Sequence, residues 1–202
     1  MSSVSRFLHS ATSLLFPGIL LFSAATWAQT AHFSGAVTSA YGFSGYYVPM
    51  GVAMDANGNF FVASYGESTE PGDSWVSEIP AGCTSAKCVL TLGGGFFDAW
   101  GVAVDANENV YVGDYGNGAV KKIPPGCASS SCVVTLGGGF INPAGVAVDT
   151  HGNVYVADYY NNAVKEMPPG CTSSACVTTL GGGFSEPKSV AVDQYGNVFV
   201  AD

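Results

Sequence analysis

The stretch Gly101-Val-Ala-Val-Asp105 decides the fold, because near copies of it occur four times in the chain. The other copies are Gly51-Val-Ala-Met-Asp55, Gly145-Val-Ala-Val-Asp149 and Ser189-Val-Ala-Val-Asp193, and the successive spacings are 50, 44 and 44 residues. A repeat of this length is typical of architectures in which each unit buries its apolar face against its neighbours. The longer first spacing reflects a polar insertion between Tyr65 and Trp75, which we assign to a loop.

Within residues 101–144, alternation of apolar and other residues predicts four short strands. The first two contain Val102 and Val110, and the others are expected at Ala119–Ile123 and Cys132–Leu136. An alanine at the centre of each first strand suggests that inner strands crowd around a central axis. The turn after the first strand has a glycine in three units, Gly58, Gly152 and Gly196, which suits a hairpin turn with positive φ. Glu108 replaces that glycine in one unit, so we expect backbone strain there.

Composition supports an all-β globular protein. The chain is 48% hydrophobic and only 10% charged, which excludes a disordered segment. Its 27 glycines and 10 prolines follow no three-residue period, so we interpret them as turn residues. The formal net charge of −9 argues against nucleic acid and anionic membranes as partners.

The N-terminal residues differ from the rest. Residues 1–28 combine a basic start, an apolar stretch and small residues before Ala28, the pattern of a secretory signal peptide. The apolar run is shorter than a bilayer span requires, so a membrane anchor is the weaker interpretation. We therefore expect a secreted or periplasmic protein with no membrane span after cleavage. An N-terminal segment follows at 29–50, in which Ala36–Ser39 resembles an outer strand.

The remaining chain, 51–202, resembles the NHL repeat. The resemblance rests on Gly145-Val-Ala-Val-Asp149, on Gly152-Asn-Val-Tyr-Val-Ala-Asp158 and on Asn161-Asn-Ala-Val164, and it covers about four units. The units are predicted at 51–100, 101–144 and 145–188, with a truncated one at 189–202. The family forms β-propellers, typically six-bladed, so the resemblance implies an all-β propeller of four-stranded antiparallel blades. Ala119 and Ala163 stand where the family often has a basic residue, which weakens any implied RNA binding.

About three complete blades plus partial blades cannot close a six-bladed ring. An incomplete six-bladed propeller, from a truncated reading frame or gene fragment, is the interpretation we favour. Two others stay open: Ala36–Ser39 joins the strands at 190–201 as a three-stranded fourth blade, or two chains associate through their open blade edges.

Six cysteines form three pairs with four residues between the members of each pair: Cys83/Cys88, Cys127/Cys132 and Cys171/Cys176. Each pair flanks the turn between the third and fourth strands, in a chain with an export signal. We predict one disulfide per outer hairpin. A zinc site is the alternative, but each pair supplies two thiolates where a structural zinc needs about four, and pairs on separate blades point apart.

Recurrent side chains at strand ends are the ligand-binding candidates. Asp114, Asp158 and Asp202 end the second strands, with Ser64 in the first unit, and could ring one face near the channel. Local hydrogen bonding is the competing role. Tyr115 and Tyr159 follow these strand ends and could form a protein or glycan surface, or pack between blades.

No catalytic constellation is found in the sequence, and we predict no metal ligands and no cofactor. We expect an exported, non-enzymatic NHL-repeat binding or scaffold protein that presents a loop face to a protein, peptide or glycan partner. The alternative is a fragment of a propeller enzyme of lyase or lactonase type, with a divalent metal in the central channel.

Overall fold

A computed structural model describes residues 47–66 and 72–202, and in these residues 14 strands form four antiparallel sheets. The first sheet contains β1 (Tyr47–Met54), β2 (Phe60–Gly66), β3 (Ser74–Ile79) and β4 (Leu90–Phe96). The second contains β5 (Ala99–Val104), β6 (Val110–Asp114), β7 (Ala119–Ile123) and β8 (Val134–Leu136). The third contains β9 (Pro143–Val148), β10 (Val154–Asp158), β11 (Ala163–Met167) and β12 (Thr178–Leu180). The fourth pairs β13 (Ser189–Val192) with β14 (Val198–Ala201).

Each sheet is a meander in which sequential strands are neighbours, so the four sheets are blades 1 to 4 of the predicted propeller. The strands begin before the repeat motif: β1 starts at Tyr47, inside the segment 29–50, and β5 starts at Ala99. The signal peptide predicted at 1–28 and the outer strand predicted at Ala36–Ser39 lie outside the described residues.

Short 3-10 helices interrupt the outer hairpins at Ala86–Cys88, Ser130–Cys132 and Ser174–Cys176, and a fourth lies at Tyr159–Asn161. The fourth strand predicted at Cys132–Leu136 therefore starts only at Val134, because Cys132 belongs to the turn that brings the two sulfurs together. Within the two described ranges, no helix has the length and apolar character needed to cross a bilayer.

Adjacent blades share one hydrophobic core. We call the side of a blade that faces the preceding blade its leading face, and the other side its trailing face. Phe61, Val76 and Phe96 on the trailing face of blade 1 form one cluster with Val102 and Val110 on the leading face of blade 2. The two following interfaces repeat this arrangement. Apolar burial between sheets, rather than within one sheet, stabilises the array.

The closest approach between inner strands occurs at the glycine of the repeat motif. A Cβ atom built on Gly101 would lie 2.5 Å from the carbonyl oxygen of Ala144, on β9 of the next blade. The alanine two residues later, Ala103, is buried in the cluster between blades 2 and 3.

The turn between the first two strands is an aspartate-centred loop. Asp105 Oδ1 accepts hydrogen bonds from the backbone N–H groups of Asn107 and Asn109, and Oδ2 accepts one from Asn109 Nδ2. Burial would raise the pKa of Asp105, but the hydrogen bonds from Asn109 outweigh it and lower the pKa below its ordinary value. Asp55, Asp149 and Asp193 accept the same set of hydrogen bonds.

The glycines of this turn adopt the positive φ that the sequence predicted, 85° at Gly58, 84° at Gly152 and 82° at Gly196. Glu108 shares the conformation, with φ of 62°. The strain expected there is confirmed as a left-handed backbone on a residue with a β carbon.

All three cysteine pairs form disulfides, which is the arrangement of an oxidising, extracytoplasmic environment. Two of these loops also join neighbouring blades. The carbonyl oxygen of Cys127 accepts a hydrogen bond from the N–H of Gly93 in blade 1, and Cys171 accepts one from Gly137 in blade 2. Cys127 and Cys171 are buried in the inter-blade clusters, whereas Cys83 is only half-buried.

Replacing Glu108 by glycine should stabilise the protein by about 1 kcal/mol, because glycine relieves the left-handed strain and its larger unfolded-state entropy cancels only part of the gain. Chemical denaturation measures the difference. Glu108→Ala is the matched control, since it removes the same carboxylate but keeps the strained β carbon. Equal stability of the two variants would contradict the strain.

Serine at both Cys127 and Cys132 should lower the free energy of unfolding more than serine at both Cys83 and Cys88. The two loops have the same length, so each loses about 2 kcal/mol of loop-closure stabilisation. Only the change at Cys127 would also leave a hydroxyl inside an inter-blade core, at a further cost of roughly 1–3 kcal/mol. If the two double variants unfold at the same urea concentration, the burial of Cys127 adds no stability beyond that of the disulfide.

Candidate functional site

Asp114, at the end of β6, is fully buried and takes part in a bridge between blades 1 and 2. Its Oδ1 accepts the backbone N–H of Phe97 at 2.7 Å, and its Oδ2 accepts Asn117 Nδ2 at 2.8 Å and pairs with Lys121 Nζ at 2.5 Å. Asn117 and Lys121 also donate to the carbonyl oxygen of Gly95 in blade 1. We call this set the Asp–Asn–Lys bridge.

The bridge recurs one blade later with the same spacing. Asp158 Oδ1 accepts the N–H of Ile141, and its Oδ2 accepts Asn161 Nδ2 and pairs with Lys165 Nζ. Asn161 and Lys165 also donate to the carbonyl oxygen of Gly139. Each Lys ammonium lies over the phenylalanine ring of the preceding blade, 5.3 Å and 5.2 Å from its centroid.

The other two members of the expected ring differ from these. Asp202 Oδ1 accepts the N–H of Ser185, which is the same backbone contact to the preceding blade. In blade 1, Ser64 and Ser77 take the positions of Asp114 and Lys121. The buried Ser64 hydroxyl has no hydrogen-bond partner among the described residues. The contacts of Asp114 and Asp158 are thus the local hydrogen bonds of the competing interpretation. Ligand binding by either carboxylate would require breaking a buried ion pair.

The aromatic candidates do come together. Trp100, Tyr115, Tyr159 and Tyr160 form the aromatic cluster, in which the Trp100 and Tyr115 rings stack with centroids 4.3 Å apart. The Tyr115 and Tyr159 centroids are 6.0 Å apart, and Tyr160 lies edge-on to Tyr159 at 4.8 Å. Tyr160 is 56% exposed, so the cluster reaches solvent. Desolvation and the hydroxyl of Tyr160 raise the pKa of Tyr115 to about 12.

Three loop residues with positive φ lie just before the inner strands, and sequence reasoning missed them. Asp98, Asn142 and Glu186 are 44 residues apart and have φ of 55°, 56° and 57°. Glu186 Oε2 accepts the Tyr159 hydroxyl at 2.7 Å, and Asn142 Nδ2 donates to the carbonyl oxygen of Tyr115. Burial and the negative charge of Asp114 raise the pKa of Asp98. Their shared spacing was a signal in the sequence, but their residue types differ.

A groove of about 350 Å³ runs along the inner strands and ends beside the aromatic cluster. Trp100 belongs to both, and the other lining residues are Met50, Gly51, Val52, Gly101, Val102, Ala144, Gly145, Val146, Lys188, Ser189 and Val190. None of these described lining residues carries a carboxylate, imidazole or thiol, the side chains that most often bind divalent metal ions.

A cluster of metal-binding side chains would be another type of site. No group of three or more His, Cys, Asp and Glu side chains is placed to hold a metal ion within residues 47–66 and 72–202. His151 lies in an exposed turn with its ring 3.8 Å from Asp149. The aromatic cluster and its loop residues form the candidate site, which offers ring surfaces and hydrogen-bonding groups.

Sequence comparison gives one family. Residues 97–123 and 140–166 match the model of the NHL repeat. These two matches span β5 to β7 and β9 to β11 together with the loops that lead into them. A search of curated proteins finds no sequence relative of this chain.

Structural comparison gives propeller-type neighbours at low identity. Hydrazine synthase of Kuenenia stuttgartiensis aligns with a TM-score of 0.57 and 14% identity, over 80% of this chain and 44% of its own. A luciferin-regenerating enzyme gives 0.55 and 16%, over 77% and 53%. Regucalcin, a calcium-binding protein of Agrobacterium tumefaciens, gives 0.51 and 14%, over 69% and 47%. The chain spans about half the length of these proteins, and the likeness confirms the fold.

The Asp–Asn–Lys bridge leads to a prediction about the stability of the protein. Lys121→Ser should destabilise the protein by roughly 3–5 kcal/mol, because Asp114 is left charged and buried without its partner. The double variant Asp114→Ser/Lys121→Ser reproduces the Ser64/Ser77 pair of blade 1 and should cost less than Lys121→Ser alone. Urea denaturation of both variants measures the two losses of stability. A double variant less stable than the single one would rule out the buried unpaired charge as the cause.

Proposed function

We propose that this chain, which matches the NHL repeat over residues 97–123 and 140–166 and has a propeller-type fold, is an exported, non-enzymatic binding protein whose aromatic cluster holds a protein, peptide or glycan partner. The observation that carries the proposal is the cluster itself, four rings within contact of each other at one end of the inner strands. Large rings bury much apolar area at low entropy cost, which is why they dominate binding sites.

The position of the cluster supports the proposal. Tyr115, Tyr159 and Tyr160 lie on the loops between the second and third strands of blades 2 and 3, and Trp100 lies near the start of β5. Loops held by a rigid scaffold are where binding residues concentrate. The Asp–Asn–Lys bridge and the stacked Trp100 and Tyr115 rings hold two of its members in place. Tyr160 remains 56% exposed and is the ring most open to a partner.

Charge favours a basic peptide among the three partner classes. Asp98 and Glu186 border the cluster, and the whole chain has a net charge of −9. Two of its six Lys and Arg residues, Lys121 and Lys165, are neutralised by buried aspartates. Lys or Arg side chains of a partner would meet aromatic faces flanked by carboxylates, so cation–π and ionic attraction would act together.

We also propose that the protein is exported and that it does not bind nucleic acid. Three disulfides within small loops are stable in a secreted or periplasmic protein and would be reduced in the cytosol. An acidic surface repels a phosphate backbone.

A synthetic peptide array and a glycan array, both probed with the oxidised protein, test the proposal. We expect peptides rich in Lys and Arg to bind, and we expect their affinity to fall as the salt concentration is raised. Tyr160→Ala should weaken that binding roughly tenfold, corresponding to about 1.4 kcal/mol of lost ring contact.

Tyr195→Ala is the matched control for this experiment. Tyr195 is 80% exposed, but it lies in the turn between β13 and β14, at the other end of the strands. Its replacement should leave binding unchanged. Equal loss in both variants, or no ligand on either array, would remove the aromatic cluster as the binding site.

A further inference from the structure

The leading face of blade 1 repeats surfaces that are buried in blades 2 and 3, but its own side chains are exposed in the part of the chain that the structure describes. Val52 of β1 is 67% exposed, whereas its equivalents Val102 and Val146 are 7% and 6% exposed. Met54 and Phe60 on the same face are also exposed. In blades 2 and 3 these positions receive the trailing face of the preceding blade.

The trailing face of blade 4 is the opposite surface, and its side chains are also exposed within the described residues. Phe199 is 58% exposed, whereas Tyr111 and Tyr155, which hold its position in blades 2 and 3, are 5% and 6% exposed. Ala191 is exposed where Ala103 and Ala147 are buried against the next blade. Blade 4 thus presents the aromatic ring and the alanine that every internal trailing face presents.

The internal interfaces show what these two faces bind. Between blades 2 and 3, Ala103 and Tyr111 pack in one cluster with Val146 and Val154. Between blades 3 and 4, Ala147 and Tyr155 pack with Val190 and Val198. The same pairing is available between Ala191 and Phe199 at one end and Val52 and Phe60 at the other. A contact between the two ends would repeat the part of this interface that the first two strands of each trailing face supply, since blade 4 consists of β13 and β14.

We infer that two copies of this chain associate head to tail, with the trailing face of blade 4 in one copy packed on the leading face of blade 1 in the other. The surface lies on the blade faces and does not include the aromatic cluster. Such a contact is heterologous, because different surfaces of the two copies meet.

Electrostatics at blade 1 permit this contact. In blades 2 and 3 the Asp–Asn–Lys bridge requires a carbonyl oxygen of the preceding blade, supplied by Gly95 or Gly139. Blade 1 has Ser64 and Ser77 at the positions of the Asp and the Lys. A second copy can therefore pack on blade 1 through apolar contact alone, without burying an unpaired charge.

Sedimentation velocity of the oxidised full-length chain across a concentration series tests the inference. We expect a concentration-dependent increase from monomer to an assembly of at least twice the mass. Val52→Asp and Phe199→Asp should each weaken association roughly tenfold or more. Both residues are largely exposed within one chain, so neither change should unfold it, and unchanged circular dichroism checks this.

Mixing the two variants distinguishes the head-to-tail contact from other modes. Val52→Asp keeps an intact trailing face and Phe199→Asp keeps an intact leading face, so an equimolar mixture should recover one interface and form a dimer. Ile141→Asp is the control, because Ile141 is 50% exposed on a loop away from both faces and should associate like the unchanged chain.

Three outcomes would overturn the inference. The unchanged chain could remain monomeric at every concentration, which would leave these faces to the chain's own N-terminal residues or to another protein. Val52→Asp could associate as well as the control. The mixture could fail to recover dimer, which would exclude a contact between a trailing face and a leading face.

Discussion

Burial of one sheet's side chains against those of the next is the interaction on which the described structure depends. Blade 2 places Val102 and Val110 against blade 1, and Ala103 and Tyr111 against blade 3. Neither face could be buried within a single four-stranded sheet. Every blade is therefore stable only as part of a series, and disulfides, turns and inter-blade hydrogen bonds act on an arrangement that apolar contact has already set.

The Asp–Asn–Lys bridge connects this packing to the chemistry of the surface. Lys121 and Lys165 are drawn into buried pairs beneath the loops, so they add no positive charge to the loop end. Carboxylates at Asp98 and Glu186 remain there, next to the aromatic cluster. The same inter-blade contacts thus leave a loop end that is aromatic and acidic.

Much of the fold could be predicted from the sequence, because repeated local chemistry specifies it. The glycine turns, the strain at Glu108 and the cysteine pairs depend on residues close in sequence. The candidate site depends on contacts between blades. Asp114 occupies the same strand position whether it faces a ligand or Gly95, and only the approach of Lys121 and of blade 1 distinguishes the two. The spacing Asp-x2-Asn-x3-Lys, present twice, was the overlooked signal.

The Asp–Asn–Lys bridges make the two ends of the row of blades different, and Ser64 and Ser77 of blade 1 show how. Each bridge is built by one blade and closed by a carbonyl group of the blade before it. Without blade 4, the bridges of blades 2 and 3 would remain complete. Without blade 1, the bridge of blade 2 would lose the carbonyl group that accepts its hydrogen bonds. Removing a blade from the carboxyl end therefore leaves every buried charge with its partners, whereas removing one from the amino end does not. The second kind of shortening would need hydroxyl residues in place of the ion pair in the blade that becomes first, like Ser64 and Ser77 in blade 1.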